Sequence, residues 1–342
     1  MKKKLLSLLL TGIMAMSLMT GCGDTAATST EQNSSETNVV AETDTSSADT
    51  TDAAGEVFQI GVLQLTQHAA LDAANEGFIA ALDASGIAYE VDQQNASGDQ
   101  TTCVTIADKF VNDGKNLIYT IATPAAQAAA GATSDIPIVG SAITDYVEAG
   151  LIDSNEVPGG NVTGSSDMNP IDAQLELLLQ LVPEAKTIGV FYSADEDNSI
   201  LQAELFTAAA EAKGLAVEKF TISSSNEIQT VVQSMEGKVD ACWIPTDNKL
   251  AAGMATVAMI ANEIKLPVIP GESNMVNEGG LATYGLDYYQ LGYLAGEMAV
   301  DILTNGTNPA EMPIQFLPAD KCELTVNKET AEEIGIDLSV LE

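Results

Sequence analysis

The chain is poor in positive charge, histidine and aromatic residues. It carries 13 lysine and arginine residues against 49 acidic ones, a formal charge of −36. Nucleic acids and other polyanions need basic patches, so they are excluded as partners. One histidine in 342 residues cannot supply a histidine metal cluster. Beyond Cys22 the cysteines are Cys103, Cys242 and Cys322. That odd number, without a CxxC pair, gives neither a disulfide framework nor a zinc site. Cys242 sits in an apolar strand candidate and belongs to a core. There is no GxSxG, P-loop, HExxH or GxGxxG after the first strand. A pocket with no activated nucleophile or base reads as a binder, not an enzyme, and no cofactor or metal is implied.

Long apolar runs are scarce too. The apolar stretch at 5–19 is short of the roughly 20 residues a spanning helix needs. Preceded by Lys2, Lys3 and Lys4 and followed by small residues, it reads as an export signal over 1–21. Met19-Thr20-Gly21-Cys22 resembles a bacterial lipobox, with Met19 in place of the usual leucine. The resemblance implies cleavage before Cys22 and its lipidation, which would hold the chain at a membrane surface. Residues 22–56 are rich in Ser, Thr, Ala, Asp and Glu. They lack the apolar content to offset ordering entropy and read as a disordered acidic tether.

From Val57 onward the chain repeats itself. QIGVLQLTQHAALDAANEGFIAALDASGIAYEV, starting at Gln59, overlays TIGVFYSADEDNSILQAELFTAAAEAKGLAVEK, starting at Thr187, by a gapless shift of 128. Phe78 falls on Phe206 and Gly86 on Gly214. Each copy reads as buried strand, polar loop, amphipathic helix, terminal glycine and second strand. Residues 116–139 and 240–269 extend the echo, the latter with a helix over TDNKLAAGMATVAMIA. The expected fold is α/β: two similar Rossmann-like lobes with parallel sheets, joined by a multi-strand hinge. Crossings fall at 161–167, 281–287 and 315–322. They divide the chain into 57–165 plus 284–318 as lobe 1, and 166–283 plus 319–342 as lobe 2.

Ligands of open parallel sheets bind beyond the carboxyl ends of the strands. That rule selects the loops 64–70, 122–126, 141–146, 192–199, 245–249 and 271–274. In YTIATPAAQAAAG, from Tyr119, a strand ends and a helix begins with almost no side chain between. Thr123 reads as a cap or a hydrogen-bond donor, and the open N–H groups around Ala125 as a seat for a carboxylate. Across the cleft, Asp247 and Asn248 read either as caps or as partners for an ammonium group. Glu272, Asp167 and Asp287 are further candidates for that charge. His68 is a loop residue or a ligand contact.

IGVLQLTQHAALDAANEGF, ATPAAQAAA, VTGSSD, IGVFYSADEDNS, IPTDN, ATYGLDYYQLGYLAGEMAVDIL and VNKETAEEIGI, in that order, resemble the TrpX-like family. Its members are ABC-transporter substrate-binding lipoproteins of the type I periplasmic-binding-protein fold. The resemblance covers nearly all of 58–338. It implies an extracytoplasmic, lipid-anchored receptor for a small ligand, tryptophan or tyrosine before other amino acids, sugars or nucleosides. The closed form would dock on a membrane permease; a sensory role is the alternative. By motif position the cleft would carry Gln67, His68, Thr123, Ala125, Thr144, Asp145, Asn198, Ser199, Asp247, Asn248 and Asp287. Tyr146 stands where family members often have proline, and is expected to add a stacking surface or alter specificity. Most of Tyr119, Tyr146, Tyr192, Trp243, Tyr284 and Tyr288 are expected in core packing.

Overall fold

The computed structural model describes residues 57–318 and 321–341. The signal, the tether and Cys22 lie outside the described residues.

The first sheet begins with the leading copy of the repeat. Strands β1 (Phe58–Gln64), β2 (Tyr89–Asn95), β3 (Leu117–Ile121), β4 (Ile138–Ile143) and β5 (Val162–Ser166) join β11 (Gln315–Phe316) in the order β11-β5-β4-β3-β1-β2. Every pairing is parallel. Strands β3, β4 and β5 are buried along their whole length, as strands covered on both faces must be. Helices α1 (Ala69–Ser85), α2 (Gln100–Asn112), α3 (Thr123–Ala132) and α10 (Tyr288–Asn305) belong to this half. Gly77 and Gly292 let α1 and α10 touch backbone to backbone: a Cβ at Gly77 would strike the Tyr289 carbonyl, and one at Gly292 the Ala74 carbonyl. That contact pins the start of α10, and with it Tyr288.

The second sheet repeats the plan with β6 (Thr187–Ser193), β7 (Ala216–Ile222), β8 (Ala241–Ile244) and β9 (Val268–Pro270) in the order β7-β6-β8-β9. Its pairings are also all parallel. Around it stand α4 (Ile171–Leu181), α5 (Asp197–Ala212), α6 (Ile228–Gln233), α7 (Asn248–Ala252), α8 (Met254–Glu263), α9 (Ser273–Asn277) and α11 (Lys328–Ile334). The helix expected over TDNKLAAGMATVAMIA is two helices, broken at Gly253. There the backbone passes so close to Ile228 that a Cβ would collide with it. Strands β10 (Ala282–Gly285) and β12 (Glu323–Val326) form a separate antiparallel pair.

The repeat extends to the cores. Phe78 stacks on Tyr119 with ring centroids 3.7 Å apart, and its counterpart Phe206 stacks on Trp243 at 4.3 Å. All four rings are fully buried. Tyr119 donates to the Ala74 carbonyl (3.2 Å), and Trp243 Nε1 donates to Gln174 Oε1 (3.1 Å). A buried aromatic polar tip requires such a partner.

Tyr146 corrects the sequence expectation. It is fully buried, and its hydroxyl donates to the carbonyls of Gly140 (2.9 Å) and Ser165 (3.0 Å). It ties β4 to β5 and offers no stacking face to a ligand.

Candidate functional site

The loops at the carboxyl ends of the two sheets face each other. Between them lies a small cavity lined by His68, Leu71, Ala142, Asp167, Thr246, Asp247, Asn248, Ala251, Glu272 and Tyr288. Three of these are carboxylates, none is a lysine, and the chain contains no arginine.

Each carboxylate is held differently. Asp247 is the N-cap of α7. Its Oδ1 accepts from Leu250 N–H (2.8 Å) and Ser193 Oγ (2.8 Å), and its Oδ2 from Ser193 N–H (2.6 Å). Glu272 is the N-cap of α9, accepting from the N–H groups of Asn274 (2.7 Å) and Met275 (3.0 Å). Burial nonetheless pushes its pKa up to about 7. Asp167, just after β5, has only hydroxyl donors from its neighbours: Thr144 Oγ1 (3.1 Å) and Tyr288 OH (2.7 Å). Burial raises its pKa, against the opposing pull of these two bonds and of its own backbone N–H. A buried carboxylate served by neutral hydroxyls remains short of positive charge.

Beneath the cavity sits a fourth carboxylate, Glu196. It stands at the N-cap position of α5 but does not cap that helix. It turns to α7 and accepts from Asn248 N–H (3.1 Å), Asn248 Nδ2 (2.8 Å) and Lys249 N–H (3.2 Å). Burial, then the nearby Asp247, raises its pKa. His68 meets the same asparagine from the other half, with Nε2 3.2 Å from Asn248 Oδ1. Burial lowers the His68 pKa, so its ring is neutral at physiological pH.

Helix α3 begins at Thr123, so the residue expected to cap it lies inside it. Ala122 holds the cap position with φ 88° and ψ 151°, a region that non-glycine residues adopt only under constraint. Ala142, which lines the cavity, also has a positive φ of 55°. Thr123 Oγ1 is buried without a hydrogen-bond partner among the described residues.

The expected site residues therefore divide. His68, Asp247 and Asn248 share the cavity with Asp167 and Glu272. Thr144 stands behind it, donating to Asp167 and accepting from Gln202 Nε2 (3.2 Å), a bridge from the first half to α5. Thr123, Asp145 and Asn198 line a neighbouring open cleft. Asn198 Nδ2 donates to the Thr246 carbonyl (3.0 Å), while its Oδ1 is buried and without a hydrogen-bond partner among the described residues. Ser199 is buried beside Asn198 Nδ2 (3.4 Å). Ala125 is fully buried in the first core, and Gln67 is exposed on a third cleft beside His68 and Glu272. Asp287 is exposed and caps α10 through Gln290 N–H (3.2 Å); it lines none of these cavities.

Sequence reasoning passed over Glu196, Gln202 and the role of Tyr288. For Glu196 a signal existed: the shift of 128 places it on His68. These two repeat-equivalent residues converge on one asparagine.

The chain matches the family model "ABC transporter substrate binding protein" over residues 59–340. It is 41% identical over 338 residues to a tyrosine-binding protein of Clostridioides difficile (strain R20291), covering 98% of this chain and 93% of that one. Among solved structures, it resembles an ABC domain in complex with L-Trp from Streptococcus pneumoniae. That match has a TM-score of 0.80 and 42% identity, over 84% of this chain and 98% of that one. It also resembles the ligand-free, open structure of a substrate-binding protein with adhesive properties from Clostridium difficile. There the TM-score is 0.64 at 44% identity, over 82% and 96% of the two chains. With the repeated α/β halves and the cleft between them, these findings make the chain a member of the ABC transporter substrate-binding protein family, with the type I periplasmic-binding-protein fold.

Proposed function

We propose that this protein is an extracytoplasmic receptor that closes on an aromatic amino acid, tryptophan or tyrosine, and delivers it to an ABC permease. One observation carries the reading: the cavity brings Asp167, Asp247 and Glu272 together with no cationic side chain among its lining residues. Such a site asks for a cationic ligand group. Asp167, which has the weakest set of donors, takes the α-ammonium group, with Glu272 beside it. The ligand carboxylate goes to the start of α3, where Thr123 and the N–H groups near Ala125 lie at the positive end of a helix.

The ligands of the similar proteins support the aromatic side chain. The closed form is supported by fold similarity that is greater to the L-Trp complex than to the open, ligand-free structure at nearly equal identity. Lobe 1 (57–165 with 284–318) and lobe 2 (166–283 with 319–342) move as the two jaws, a hinge closure. A lipid on Cys22 and the acidic tether keep the receptor at the membrane surface.

The test is thermal denaturation against the twenty amino acids, with sugars and nucleosides as controls. A ligand at a hundredfold excess over its Kd stabilises the folded state by about 2.7 kcal/mol. Stabilisation by tryptophan or tyrosine is expected. A response to a sugar or nucleoside alone would end the amino-acid reading, and loss of permease binding by ligand-loaded protein would end the transport role.

A further inference from the structure

The hydrogen bonds beneath the cavity all run in one direction. Both oxygens of Glu196 accept from backbone N–H groups: Oε2 from Asn248 (3.1 Å) and Oε1 from Lys249 (3.2 Å). Oε2 also accepts from the Asn248 side-chain nitrogen (2.8 Å). With Glu196 ionised, this fixes the Asn248 amide, with its nitrogen toward Glu196 and its carbonyl oxygen toward the opposite half. Oδ1 has no proton to give. His68 Nε2, 3.2 Å away, is therefore the N–H donor, and a neutral imidazole has only one such hydrogen.

His68 Nδ1 is consequently a bare acceptor. It is buried and has no partner among the described residues. Although His68 occupies the N-cap position of α1, its ring makes no capping bond. A buried acceptor without a donor is costly, and His68 lines the ligand cavity.

We infer that His68 Nδ1 accepts a hydrogen bond from the ring of the ligand, and that the Glu196–Asn248–His68 relay selects aromatic amino acids bearing a ring N–H or O–H donor over phenylalanine. This rests on the aromatic-amino-acid reading above. His68 is the specificity-determining residue, while Asn248 and Glu196 are positioning residues that hold it in one tautomer. The ligand ammonium is served by Asp167 and Glu272, which leaves an indole N–H or a phenol O–H for Nδ1. A site built to accept a hydrogen rejects the analogue that lacks it, because its own polar group is then left unpaired.

His68 is the only histidine of the chain, so the protein labelled with ¹⁵N-histidine gives one imidazole signature. Two-bond ¹⁵N–¹H spectra are expected to show the Nε2-protonated tautomer. Tryptophan or tyrosine should move the Nδ1 resonance in the direction of an accepted hydrogen bond. Calorimetry should show phenylalanine binding about tenfold more weakly or worse. Glu196→Gln lets the Asn248 amide turn over; it should populate the Nδ1-protonated tautomer and shrink the preference over phenylalanine. His68→Leu should abolish that preference. A protonated Nδ1 in the unmodified protein, or phenylalanine binding within about twofold of tyrosine and tryptophan, overturns the inference and leaves the aromatic-amino-acid reading standing. If no aromatic amino acid binds, that reading falls and takes the inference with it.

Discussion

The two halves share a plan and differ at the junction that follows their third strands. In the second half, β8 leads into α7, five residues long. Its N-terminus is occupied by the chain's own carboxylates, Asp247 and Glu196. In the first half, β3 leads into α3, ten residues long, with no side-chain cap and an alanine in a strained conformation at its start. A helix N-terminus already holding a carboxylate has little left for a second, whereas an open one attracts an anion. The repeat thus holds two equivalent helix N-termini, one filled by the chain's own carboxylates and one without a side-chain cap.

The comparison can be broken or sharpened by substitution. The largest effect is expected in the stacked cores, where the halves are alike. Trp243→Ala should cost about 3–5 kcal/mol in denaturant unfolding, and Tyr119→Ala should be of the same order. A small loss in one half alone would show that the stacks are not equivalent.

The pH dependence of the ligand-free protein comes next. Glu272 is raised from 4.5 to about 7, and burial also raises Asp167 and Glu196. The folded state therefore holds protons that the unfolded state releases. The stability contributed by these groups is present below the ordinary carboxylate range and is lost as pH rises toward and through about 7. Melting temperature should fall over that window, and saturating amino acid should flatten the fall by supplying the missing cation.

Asp247→Ala removes a cap and leaves the Ser193 N–H buried without its acceptor. It should destabilise by about 1–3 kcal/mol. Ala122→Gly relieves the positive φ in the open half and should stabilise the ligand-free protein by about 1 kcal/mol. The smallest stability effect belongs to Thr123→Ala, which removes an unpartnered hydroxyl. Its cost should stay within about 0.5 kcal/mol while amino-acid affinity falls. If Thr123→Ala proved as destabilising as Asp247→Ala, both N-termini would be structural and the contrast would fail.

Much of this was legible in the sequence. The shift of 128 set β1 on β6 and α1 on α5, because each copy carries its own hydrophobic period and its own terminal glycine. Asp247 was visible as an acidic residue ahead of a helix, and a capping bond reaches only two or three residues; Glu272 was visible only as a charge, because the short helix it caps was not read. The choice between cap and ligand contact was not visible. It depends on whether a residue far along the chain takes the other lone pairs, as Ser193 does for Asp247 across 54 positions.

What the sequence determined by itself was local: strands, helices, their order, the duplication and the loops that form the cleft, all governed by side-chain periodicity and short-range hydrogen bonds. The tertiary structure decided the chemistry of the cleft. Glu196 leaves its own helix for Asn248, Tyr146 turns into the core, and Asp167 faces Thr144 and Tyr288 with no N–H donor from a helix. These outcomes depend on which groups burial forces together across 6 to 121 positions of chain, and a buried polar group bonds to whatever partner lies within reach.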